Sequence, residues 1–221
     1  MSAHWVHRSL KRLLSGLFSC HIKYFRDFVY IAIPKTGSTT IRNFCGYKYW
    51  WEPWAHETAP EIIERIGPQS WEKKFTFTFV RNPYARAVSM YFWSSTGLVC
   101  DSRIHFREWA RFCFSAELYP HRSLLSVRNH PSQQVQYIAN NEGEILVDFV
   151  GKLENIEEDM GVVCKRLNIP FTHVPHENKG LASLDYRDYY DDETVEVVGN
   201  WFREDLEQFG YDFDGLIAPP L

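Results

Sequence analysis

Ile31-Ala32-Ile33-Pro34-Lys35-Thr36-Gly37-Ser38-Thr39-Thr40 is the stretch on which the reading of this chain turns. An apolar run suited to a buried strand breaks at Pro34. One lysine, one glycine and four hydroxyls then fall in a turn, before Thr39 to Phe44 resumes as a helix. Gly37 lets the backbone fold tightly, and N–H groups at the start of a helix face whatever anion lies in front of them. The order is therefore strand, anion loop, helix. It is not the loop of the nucleoside triphosphatases, because the four-residue insert is missing and Lys35 precedes the only glycine. A plain ATPase or GTPase is disfavoured on that ground.

A second stretch repeats the arrangement. Phe75-Thr76-Phe77-Thr78-Phe79-Val80-Arg81 reads as a strand ending in a cation, Asn82-Pro83 as a turn, and Tyr84 to Trp93 as a helix carrying Ser89 about two turns along. The guanidinium fork of Arg81 binds two phosphate oxygens at once, and the Ser89 hydroxyl adds a third contact. The plainer alternative is an Arg81 paired with a core carboxylate. Two anion sites on successive strand ends suit a nucleotide phosphorylated at both ends.

On these residues the chain resembles the sulfotransferases that use 3′-phosphoadenosine 5′-phosphosulfate (PAPS), in particular the carbohydrate-type group that includes the uronyl 2-O-sulfotransferases and bacterial relatives. The resemblance runs from about Val29 to Phe213. It includes Val147 to Ile156 with Glu158-Asp159, the loop His176-Glu177-Asn178-Lys179, and Phe209-Gly210-Tyr211. It implies that Lys35, Thr36, Gly37, Ser38, Thr39 and Thr40 hold the 5′-phosphosulfate, and that Arg81 and Ser89, with Lys179, hold the 3′-phosphate. The implied fold is a single α/β domain, a central parallel sheet flanked by helices in a P-loop-like arrangement. The implied reaction moves a sulfuryl group to a hydroxyl, on a carbohydrate or alternatively on a small alcohol or phenol. An ATP-dependent kinase and a non-catalytic nucleotide-binding protein remain as competing classes.

Sulfuryl transfer needs a cation at the leaving phosphate and a group that accepts the proton of the attacking hydroxyl; it makes no demand for a metal. Lys35 suits the first task. His56 suits the second, since a neutral imidazole accepts protons near neutrality and the 2-O-sulfotransferases place a catalytic histidine similarly, ahead of the arginine-bearing strand. Glu57 is the alternative base, and capping of the following helix is the structural alternative for His56. His173 and His176 lack an evident third ligand and are read as acceptor-site or structural residues. Trp50, Trp51 and Trp54, preceded by Tyr47 and Tyr49, suit stacking on a sugar ring as well as they suit a core.

The remaining sequence sets bounds. A chain of 221 residues, 45% hydrophobic and 16% aromatic, fits one domain with a substantial core. Residues 1–27 read as a basic segment packed on a domain of residues 28–221. Arg8, Lys11, Arg12, Lys23 and Arg26 lie near the amino end, whereas residues 185–214 carry eleven carboxylates against Arg187 and Arg203. With a formal net charge of −4, general nucleic-acid binding is not expected. Lys11 and Arg12 interrupt the apolar residues of the stretch 9–19, so no membrane span is expected, although peripheral contact with a membrane surface is compatible with that stretch. Cys20, Cys45, Cys100, Cys113 and Cys164 show no metal-ligand spacing and point to a reducing, cytoplasmic setting, with pairing of Cys20 or Cys100 as the alternative. Strands are expected at Phe28 to Ile33, Phe75 to Val80 and Ile145 to Gly151. Further helices are expected at Pro60 to Ile66, Phe106 to Phe114 and Asn155 to Leu167. One closing helix, Asp191 to Phe209, carries Val195, Val198, Phe202, Leu206 and Phe209 on one face. No composition or motif fixes the oligomeric state or the acceptor.

Overall fold

The structure is a computed structural model, and it describes residues 27–45, 56–94, 103–114, 132–174 and 185–217. The basic amino-terminal segment, the Tyr47 to Trp54 aromatics, Cys20, Cys100, His176 and Lys179 lie outside the described residues. The fold is α/β. Its contacts group into two compact units, residues 1–79 with 137–176, and residues 80–136 with 177–221.

The first unit is built on a three-stranded sheet in the order β1-β2-β3, with β1 at Phe28–Ile31, β2 at Phe75–Val80 and β3 at Phe149–Lys152. β1 and β2 run parallel, with Phe28 opposite Phe75 and Ile31 opposite Thr78. The crossover between them carries α1 (Ser38–Phe44), α2 (Ala59–Ile66) and α3 (Pro68–Trp71). Parallel neighbours require such a crossover, because a tight turn joins only antiparallel strands. Phe28, Tyr30, Phe77 and Phe79 pack with Met160, Val163 and Cys164 of α6 (Ile156–Arg166) to form the core of this unit. The 3.6-residue pattern from Ile156 to Leu167 thus faces the sheet as its spacing requires.

Two strand boundaries differ from the sequence expectation. β1 stops at Ile31, two residues early, although Ala32 and Ile33 are buried. Three successive carbonyls explain this: Ile31 O accepts from the Thr78 hydroxyl at 2.7 Å, Ala32 O from the His56 ring at 2.6 Å, and Ile33 O from the Thr36 hydroxyl at 3.0 Å. Side chains have taken over acceptors that a longer ladder would use. β3 begins at Phe149 instead of Ile145, because Ile145 forms an isolated antiparallel bridge to Ala139. Asp148 joins the two segments, its carboxylate accepting from the Thr76 N–H at 2.7 Å and hydroxyl at 2.9 Å.

The second unit is helical. α4 (Pro83–Ser94), α5 (Arg103–Phe114), α7 (Asp192–Trp201) and α8 (Arg203–Phe209) enclose a core rich in aromatic side chains, among them Tyr84, Tyr91, Phe106, Tyr189, Tyr190 and Phe202. Edge-to-face ring pairs dominate, such as Phe106 on Tyr190 with centroids 4.9 Å apart and Tyr84 on Phe213 at 5.0 Å. These geometries set the positive ring edge against a negative face. Asp191 caps α7 by accepting from Thr194 N–H at 2.9 Å, as its position before the apolar run predicts.

The closing helix is two helices, not the single Asp191 to Phe209 element expected from the apolar face. The break falls at Phe202, whose φ of −102° and ψ of 24° leave the helical region while its ring stays fully buried. The broken turn exposes a new helix start. There the Asp205 N–H, in the first turn of α8, donates to Gln133 Oε1 at 3.3 Å. The residues of the expected apolar face still point inward, so the period is right and the continuity is not.

Candidate functional site

The segment after β1 is the loop that the sequence reading expects to hold an anion. Lys35 and Gly37 both have positive φ, 68° and 74°, with Thr36 between them in the ordinary region. Alternation of this kind turns successive N–H groups toward one side of the chain and makes a concave, electropositive surface. Gly37 is the N-cap residue of α1, and no side chain caps that helix. Its first-turn amides, from Ser38 to Thr40, have no acceptors within the helix and face the loop. Thr36 is fully buried and ties the turn to Ile33. It shapes the loop, while Ser38, Thr39 and Thr40 are partly or fully exposed at its mouth.

Gly37 has a second reason to be glycine. A Cβ there would come within 2.6 Å of Leu153 Cδ1, so Leu153, just beyond β3, packs against the loop backbone. For Lys35, a non-glycine residue in the left-handed region costs roughly 1–2 kcal/mol. Backbone strain of this sort is kept where the surrounding structure holds a side chain in a required direction.

His56 sits in the same unit. Its Nδ1 lies 2.6 Å from Ala32 O, three residues before Lys35. A carbonyl can only accept, so Nδ1 carries the proton and Nε2 is the acceptor nitrogen of the neutral ring. The ring is exposed. His56 does not cap α2: that position belongs to Thr58, whose N–H donates to Glu61 Oε2 at 2.7 Å and whose hydroxyl oxygen accepts from Glu61 N–H at 3.4 Å in a capping box. Glu57 is 8% exposed, and its carboxylate pairs with Arg65 of α2. The two candidate bases are thus in different situations, one ring fixed and open to solvent, one carboxylate enclosed in an ion pair.

The second unit carries Arg81 and Ser89. Arg81 is partly buried, between the end of β2 and the start of α4. Asn82 next to it accepts from Tyr84 N–H at 2.9 Å and donates to Asp212 O at 2.8 Å, fixing where α4 begins. Ser89, seven residues beyond Asn82, lies about two turns along the same face of α4.

Three residues around Arg81 had not been singled out from the sequence. Arg86 is fully buried on α4, 4.0 Å from the equally buried Asp205. Its Nη1 donates to Ser132 O at 2.8 Å. Gln134, also fully buried, links Asp205 to the backbone of Arg81. An arginine set among Ala85, Ala87 and Val88 is the one sequence signal of such a network. Asp205 sits in a carboxylate-rich helix and gives none. Burial raises the Asp205 carboxyl above the usual aspartate range, against the pull of Arg86 and the N–H groups of Gln134 and Val135.

Lys152, at the end of β3, shows the opposite perturbation: desolvation lowers its ammonium despite Glu154 and Asp159 nearby. His173 is exposed. Among the described residues, no three or more His, Cys, Asp or Glu are grouped to hold a metal ion, and no helix is long and apolar enough to cross a membrane.

An uncharacterized protein of Archaeoglobus fulgidus is 28% identical over 111 residues, which span 49% of this chain and 80% of that relative. The model of the sulfotransferase family matches residues 21–212, a span that includes the anion loop, His56 and Arg81 with its helix, and the chain therefore belongs to the sulfotransferase family.

Proposed function

We propose that the protein transfers the sulfuryl group of PAPS to a hydroxyl of a carbohydrate. The observation that carries this reading is the anion loop itself, with left-handed backbone at Lys35 and Gly37, an uncapped helix start, and the imidazole of His56 anchored three residues upstream of Lys35. In this reading the acceptor hydroxyl gives its proton to His56 Nε2 as its oxygen bonds to sulfur. The bond from sulfur to the 5′-phosphate oxygen breaks, and its electron pair leaves with that phosphate. The Lys35 ammonium and the amides of Ser38 to Thr40 neutralise the charge gathering there. Arg81 and Ser89 bind the 3′-phosphate, and Lys179 adds a cation from the later loop. His56 is preferred to Glu57 because the Glu57 carboxylate is buried in its pair with Arg65, whereas the His56 ring is exposed.

The carbohydrate acceptor rests on the resemblance to the 2-O-sulfotransferase group. The experiment is incubation with radiolabelled PAPS and a panel of oligosaccharides, small alcohols and phenols, alongside calorimetry with adenosine 3′,5′-bisphosphate and adenosine 5′-phosphate. Label transfer to an oligosaccharide and a marked preference for the bisphosphate are expected. Equal affinity for the two nucleotides refutes the donor assignment, and transfer only to a phenol or small alcohol refutes the acceptor class.

A further inference from the structure

We infer that Gln134 is the positioning residue of Arg81, fixing the direction in which its guanidinium leaves the chain and thereby setting the preference for a 3′-phosphate. The inference rests on the reading of Arg81 as a 3′-phosphate ligand. The buried Gln134 amide pairs with both main-chain groups of that one residue: Arg81 N–H donates to Oε1 at 2.9 Å, and Nε2 donates to Arg81 O at 2.9 Å. The second Nε2 hydrogen points to Asp205 Oδ2 at 3.3 Å. The flip of the amide is settled by chemistry, since Arg81 N–H can only donate and Arg81 O can only accept. Gln134 is itself held from behind. Asp205 Oδ2 accepts its main-chain N–H at 2.8 Å, and Oδ1 accepts that of Val135 at 2.9 Å.

The physical consequence concerns the residue at which strand passes into helix. Arg81 follows the last residue of β2 and precedes the turn into α4. Two bonds from one rigid amide restrain its φ and ψ, as a strand neighbour would. The guanidinium lies several bonds from the backbone, so a small rotation at Cα moves it by about an ångström, and misplacement on that scale costs up to about a hundredfold in a charge-directed contact.

The test is a double-mutant cycle with adenosine 3′,5′-bisphosphate and adenosine 5′-phosphate as the probes, read by calorimetry on the full chain. Gln134→Met keeps the volume and removes both bonds. It is expected to lower bisphosphate affinity about 10- to 100-fold and leave that of the monophosphate within about twofold. In an Arg81→Ala background the same substitution is expected to change neither affinity further. An equal loss for both nucleotides, an undiminished preference, or the full effect persisting without Arg81 overturns the inference. A wild-type protein indifferent to the 3′-phosphate instead overturns the reading of Arg81 itself, and this proposal with it. If the methionine variant does not fold, Gln134→Asn, one methylene too short to span both main-chain groups, takes its place in the cycle. Failure of both to fold assigns Gln134 to the core alone and refutes the positioning role.

Discussion

Asp205→Asn replaces one oxygen in a fully buried polar cluster of the second unit. The wild-type carboxylate accepts from Gln134 N–H, Val135 N–H and Gln134 Nε2, using both oxygens, and lies 4.0 Å from the buried Arg86. An asparagine amide must turn its NH₂ toward at least one of those donors, and an orphaned buried donor costs about 1–3 kcal/mol. It also removes the counter-charge of a fully buried guanidinium, and breaking a buried pair from one side costs about 3–5 kcal/mol. These overlap, so about 4 kcal/mol in all is the expectation, a large part of the roughly 5–15 kcal/mol that holds a native protein together. In urea, with a slope of about 2 kcal/mol per molar, the midpoint should fall by about 2 M. A fall below about 0.5 M would show that the cluster is wet or relaxes freely, and the reasoning fails. The same carboxyl has a pH signature. Its pKa is raised in the folded protein by burial, so the native state binds its proton more readily than the unfolded chain. This group's contribution to stability therefore falls as pH rises from the ordinary aspartate range toward the raised value, and that slope should vanish in the asparagine variant.

Three further outcomes test the candidate site. Gly37→Ala should lower stability by about 1–2 kcal/mol from the left-handed backbone alone, with Leu153 displaced from the loop, and should weaken binding of adenosine 3′,5′-bisphosphate; an unchanged urea midpoint and affinity would remove the loop geometry from the argument. Lys35→Gly should keep stability within about 1 kcal/mol of wild type, because glycine accepts the positive φ, while turnover with PAPS falls by about two to three orders of magnitude for loss of a donor to the leaving phosphate; active Lys35→Gly would end the catalytic assignment. His56→Ala should reduce turnover about 10²- to 10⁴-fold with nucleotide affinity intact, whereas Glu57→Gln should mainly lower stability through the Arg65 pair; the reverse pattern would make Glu57 the base.

The sequence by itself determined the local units. A continuous apolar run specified β1 and apolar alternation specified β2, the Ile156 to Leu167 spacing specified the face of α6, and Pro34-Lys35-Thr36-Gly37 specified a turn between strand and helix. Each of these is a property of neighbouring residues, set by side-chain period and by the φ that glycine and proline permit. What tertiary structure decided was which partner each polar group finds. Ile31, Ala32 and Ile33 give their carbonyls to Thr78, His56 and Thr36, and so β1 ends where three distant or folded-back side chains arrive. The final helix breaks at Phe202, and the Asp205 N–H in the new first turn reaches Gln133 from 72 positions away. His56 and Glu57 are adjacent in sequence, the favoured base and its alternative there, yet one meets a carbonyl and the other an arginine. A hydrogen bond is specified by where the donor and acceptor meet in space, and no residue period encodes that position.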